Sequence, residues 1–156
     1  MNIHSILTPE RTHYGLQAAS KKRAIEEAAG LIAADVQDLA AGDIYEQLMN
    51  REKLGTTAIG HAIAIPHCRV AACSGIVGSL FKLASPVDFD AFDDEPVSVL
   101  FVLLVPTEEV DEHLQALAML ARKFESEPYR KRLMSASDDR SLYEAAVADE
   151  NENSGA

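Results

Sequence analysis

A chain of 156 residues, 47% of them hydrophobic and 25% charged, is the size of one globular domain with enough apolar material for a core. Its formal net charge of −11 repels nucleic acid and anionic membrane surfaces, and its longest basic run is only Lys21-Lys22-Arg23. The longest apolar run, Val97–Val105, falls far short of the roughly 20 residues that a membrane helix needs and suits a buried strand.

In chain order, residues 3–7 read as a short first strand or extended arm closed by Pro9. Residues 1–10 show neither the basic nor the apolar part of a secretory leader, so none is expected. Ser20 is placed to cap a helix over 21–34, in which Ile25, Ala28, Ala29 and Ile32 recur at helical spacing. Asp38 or Asp43 opens a second helix that runs to Glu52, with an inward stripe of Ile44 and Leu48 that Arg51 continues. A cation on such a stripe is unusual. At a helix C-terminus its plainest reading is a partner of the helix dipole.

The chain then turns through Gly55 and Gly60 into a short apolar strand over 62–65, and Pro66 stops it. His67 follows, at what should be the rim of a sheet. After a turn over 71–75, strands are expected at 76–83 and 97–105. The second is apolar throughout except for Ser98, so both its faces should be buried. Between them, residues 85–96 form an acidic loop whose carboxylates lack the spacing of a calcium site. Asp111 is placed to cap a helix over 112–124 with an apolar face of Leu114, Leu117, Leu120, Ala121 and Phe124, and His113 edges that face in the first turn. A short helix over 129–134 and a last one from Ser137–Asp139 to 148 complete the pattern. Interleaved helices and strands give an α/β domain, a mixed sheet flanked by helices, over 1–148, with a polar, disordered tail at 149–156. Cys68 and Cys73 form neither a C-x-x-C pair nor a disulfide framework, so a cytoplasmic location is expected.

The run Arg51–Val70, REKLGTTAIGHAIAIPHCRV, carries a denser signal. Arg51, Glu52, Leu54, Thr57, Ile59, Gly60, Ile63, Ala64, Ile65, Pro66 and His67 resemble the signature of the fructose/mannitol class of enzyme IIA proteins of the phosphoenolpyruvate-dependent phosphotransferase system, above all its nitrogen-regulatory branch. Glu112, His113, Leu114 and Leu117 match a second, shorter pattern of the family. The resemblance implies the three-layer enzyme IIA fold. It also implies that His67 accepts a phosphoryl group on Nε2 from an HPr-type histidine phosphocarrier, with His113 and Arg51 stabilising that group. One departure stands beside it: Cys68 occupies a place where many members have glycine, either as a buried inert thiol or as one that senses oxidation.

The residue types fit that chemistry. A neutral imidazole attacks without a separate base, a helix N-terminus and its histidine favour an anion, and a guanidinium offers a fork of donors to phosphate. His113 also reads as a half-buried core histidine, and His4, His13 and His61 read as structural or surface groups. No cofactor and no metal is implied: His61 and His67 stand too far apart on a strand to share an ion. With no nucleotide-binding loop in the chain, the donor must be another phosphoprotein. Its onward partner is a regulated target protein or an enzyme IIB, neither nucleic acid nor a membrane. The competing readings are an enzyme IIA of sugar uptake and a binding module that is never phosphorylated.

Overall fold

The computed structural model describes residues 1–108 and 110–155, with side chains through residue 148. Six strands form one mixed sheet: β1 (Thr12–Leu16), β2 (Ala58–Gly60), β3 (Ile63–Ala64), β4 (His67–Arg69), β5 (Val77–Val87) and β6 (Val97–Val105). The order is β1-β5-β6-β3-β2, and β4 pairs with β6 on the same edge as β3. β1 lies parallel to β5, β5 antiparallel to β6, β3 and β4 parallel to β6, and β2 antiparallel to β3. The helices are α1 (Lys21–Asp35), α2 (Ala41–Leu54), α3 (Val110–Glu125), α4 (Glu127–Met134) and α5 (Asp139–Gly155).

β6 is the spine. All its residues but Ser98 are buried, as its unbroken apolar run requires. Leu100, Val102 and Leu104 face a core built with Ile25, Ala28, Ile44 and Leu48 of α1 and α2. Val99, Phe101, Leu103 and Val105 face a second core, built with Ala116, Leu120 and Phe124 of α3, Tyr129 of α4 and Leu142 of α5. The result is the expected three layers. Gly78 lets the N-terminal segment close on the sheet: its N–H donates to the Ile6 carbonyl at 2.8 Å. A Cβ there would stand 2.9 Å from the Phe101 ring.

Ser20 caps α1 as expected, accepting from the Arg23 N–H. Several local expectations are corrected. Ile3–Ser5 is a 3-10 turn, and the first strand is Thr12–Leu16, whose weak alternation gives little signal. Asp38 sits in a turn with φ +70°, so α2 starts at Ala41 with Asp43 in its first turn. β5 runs on to Val87 across an irregularity between Lys82 and Val87, so Ser85 and Pro86 lie in strand rather than loop. α3 begins at Val110, which moves Asp111 from the cap into the first turn. Its buried positions are Ala116, Met119, Leu120 and Phe124, while Leu114 is 61% exposed and Ala121 also faces solvent. The tail expected at 149–156 lies outside the residues whose side chains are described.

Candidate functional site

The Arg51–Val70 stretch folds as a chain of backbone supports that ends on one histidine ring. Glu52, 5% exposed at the end of α2, accepts from the Thr57 hydroxyl at 2.6 Å and the Thr57 N–H at 3.1 Å, and pairs with Lys21 Nζ at 3.3 Å. A buried carboxylate needs such partners. Thr57, so fixed, accepts the Ile65 N–H on its carbonyl at 3.0 Å. The Ile65 carbonyl then meets His67 Nδ1 at 2.8 Å. A carbonyl only accepts, so Nδ1 carries the proton and Nε2 holds a free lone pair. This is the acceptor that the sequence leaves unnamed, and Glu52, whose role was not legible, anchors the line that leads to it.

Pro66 interrupts the ladder without ending it. Ile63 pairs with Val99 before it and His67 with Leu103 after it, in the same register, and the Pro66 carbonyl still accepts from the Leu103 N–H at 2.9 Å. His67 therefore stands inside a strand rather than beyond one. The preceding hairpin turn is His61-Ala62, with φ of +59° and +66°. Both central residues of a two-residue turn are thus left-handed, though neither is glycine. Strand parity between His61 and His67 consequently does not exist, and His61 serves the turn, its N–H donating to Asp93 Oδ2. His13 stacks on Phe81 in β5, and His4 is exposed in the first 3-10 turn. Neither is brought to His67.

His113 is. It sits in the first turn of α3 with its ring centroid 5.6 Å from that of His67, at 62°. Its Nε2 is buried and has no hydrogen-bond partner. Burial holds the pKa of His113 below the ordinary histidine value, helped by His67 and by the positive charge of Arg69. Burial likewise lowers His67; the Ile65 carbonyl and Glu52 oppose this, and the Arg51 charge adds to it. Both rings are neutral at neutral pH.

The buried stripe of α2 continues from Ile44 and Leu48 to Glu52 rather than to Arg51, which is only half-buried. Arg51 Nη1 donates to the Gly55 carbonyl at 2.8 Å, capping the end of α2, while its charge is close enough to act on His67. Cys68 turns the opposite way from His67, into the core under α1 and α2. Burial, with a smaller push from Cys73, raises its thiol to about 12. A thiol that stays protonated is inert, and the oxidation-sensing reading loses its support.

The site thus joins a free imidazole nitrogen, a second neutral imidazole at a helix N-terminus and a guanidinium. Residues 5–146 match the family described as "Phosphoenolpyruvate-dependent sugar phosphotransferase system, EIIA 2". The chain belongs to that enzyme IIA family. It is 42% identical over 147 residues to a nitrogen regulatory protein of Pseudomonas aeruginosa, covering 94% of this chain and 96% of that one. Among solved structures, the nitrogen regulatory protein IIA-Ntr of Neisseria meningitidis superposes with a TM-score of 0.82 at 38% identity, over 91% of this chain and 97% of that one. The mannitol enzyme IIA of Escherichia coli, solved in complex with phosphorylated enzyme IIB, shares the fold at a TM-score of 0.72 and 22% identity, over 91% of this chain and 97% of that one. This enzyme IIA is a phosphotransfer component of the nitrogen-regulatory type. Among its described residues, no helix is long and apolar enough to cross a membrane.

Proposed function

We propose that His67 is a phosphoryl acceptor, charged by an HPr-type histidine phosphocarrier, and that its phosphorylation state governs which proteins this enzyme IIA binds. The observation that carries the reading is the 2.8 Å hydrogen bond from His67 Nδ1–H to the Ile65 carbonyl, which leaves Nε2 unprotonated. The Nε2 lone pair attacks phosphorus, and the donor's own N–P bond breaks with its electron pair returning to the donor ring. The Nδ1 proton stays in place, and the positive charge that develops on the His67 ring is stabilised by the Ile65 carbonyl. Little covalent help is needed, so the work of the site is positioning and charge. His113 donates to a phosphoryl oxygen through Nε2, the ring atom that has no partner among the described residues. Arg51 supplies positive charge from the end of α2 and, through donors other than the one that meets Gly55, a fork onto the oxygens.

The nitrogen-regulatory relatives favour control by protein binding over sugar uptake. The solved mannitol complex makes an enzyme IIB the alternative receiver. Incubation with phosphoenolpyruvate, enzyme I and HPr should add one acid-labile, base-stable phosphoryl group to the wild type and none to a folded His67→Ala variant. Label on His67→Ala at the wild-type level would overturn the assignment.

A further inference from the structure

Arg69 follows His67 by two residues on β4, and the strand is registered on β6 with His67 opposite Leu103 and Arg69 opposite Val105. Alternate strand positions share a face and stand about 6.6 Å apart. Cys68, between them, is buried in the core under α1 and α2, so His67 and Arg69 both face the layer of α3, where His113 stands. Arg69 is solvent-exposed, and among the described residues its side chain makes no hydrogen bond or ion pair. In a chain with 25 carboxylates against 14 lysines and arginines, a guanidinium left unengaged beside two neutral imidazoles stands out. Its charge already bears on the His113 ring, lowering its pKa after burial and His67.

We propose that Arg69 is a further phosphoryl-binding group of this site, closing onto the equatorial oxygens of the group on His67 from the open end of β4. The proposal rests on His67 being the acceptor. Arg51 approaches from the end of α2 and His113 from the start of α3, which leaves the third side, along the strand, to Arg69. Because Arg69 holds no carboxylate among the described residues, no ion pair among them has to break when the phosphoryl group arrives. Guanidinium geometry suits two oxygens of one phosphoryl group, and a nearby cation favours the more ionised form of the group it touches.

The test uses the intact protein as wild type, Arg69→Gln and Arg69→Lys, each phosphorylated through HPr. Phosphorus NMR follows the second ionisation of the phosphoryl group, proton–nitrogen NMR follows His113 in the free protein, and melting curves confirm the fold. In Arg69→Gln the phosphoryl ionisation should move up by a few tenths to about one pH unit, His113 should titrate higher, and labelling should slow about five- to tenfold. Arg69→Lys should restore most of the ionisation shift but only part of the rate. Slower labelling with an unmoved phosphoryl titration would mean that Arg69 only docks the donor, and would overturn the proposal; so would a Gln variant identical to wild type. A wild type that takes no label would instead overturn the acceptor reading itself, and a labelled wild type beside a silent Arg69→Gln overturns this inference alone.

Discussion

The lone pair on His67 Nε2 is set by residues that never touch it. The Ile65 carbonyl fixes the tautomer, while burial keeps both His67 and His113 below the ordinary histidine pKa. The sign of the resulting pH dependence follows. In the unfolded chain both rings take a proton near pH 6.5, and in the fold they take it at lower pH. As pH falls through 6.5, the unfolded state binds protons that the native state does not, and stability is lost until the folded values are passed. Melting temperature should therefore drop between pH 7.5 and 5.5, and drop less in a His67→Ala, His113→Ala double variant. Labelling should hold steady from pH 8 to 6.5 and fall at lower pH, where the rings lose their lone pairs to protons. Equal losses of stability in wild type and double variant would show that these rings titrate normally. Chemistry at this scale was partly legible in the sequence. His67, His113 and Arg51 are named by motif, and the structure brings the two rings together with the Arg51 charge beside them. Arg69 was not legible, because its parity with His67 exists only if a strand resumes after Pro66.

Among the elements, the long periodic pieces were readable and the short ones were not. α1 and β6 declare themselves by capping and by an unbroken apolar run. β2, β3 and β4 are two or three residues each, too short to show a period, and a turn of His61-Ala62 offers no glycine to mark it. α2 carries the element-scale test. Arg51 Nη1 caps it through the Gly55 carbonyl, so Arg51→Gln should cost a few tenths to about 1 kcal/mol of stability. If that cap were its whole role, Arg51→Lys would keep the charge and leave phosphoryl transfer at the wild-type rate. A guanidinium that also forks onto the phosphoryl group predicts otherwise: Lys keeps the charge but not the fork, so transfer slows in Arg51→Lys and slows further in Arg51→Gln, with both folded. Single-turnover rates from phosphorylated HPr, read beside melting curves, separate the two roles. Wild-type rates in both variants would reduce Arg51 to a cap.

For the whole molecule, the decisive quantity is where charge sits rather than how much there is. The chain is already at −11, so a phosphoryl group adding about −1.5 to −2 changes the total little and screens away beyond a Debye length of about 8 Å at physiological salt. Locally the change is larger, because a group on His67 would arrive beside the charges that act on the two rings, Arg51 on His67 and Arg69 on His113, with Asp111 and Glu112 in the first turn of α3. The elements that carry these groups also expose apolar side chains: Leu114 is 61% exposed and Val110 46% exposed in the first turn of α3, and Leu54 is 85% exposed at the end of α2. Exposed apolar side chains and these cations suit a protein partner that brings acidic and apolar surface. Phosphorylation then neutralises the cations and adds a charge that such a partner must desolvate. Binding should therefore be strong to wild type and His67→Ala, weaker to His67→Asp and weakest to the enzymatically phosphorylated protein. A partner recruited by the phosphoryl group itself would give the reverse order, and either order supports a state-dependent switch. Pull-downs with the four forms at matched, physiological salt make the comparison, and equal capture by all four would leave the phosphoryl group a passenger on its way to an enzyme IIB.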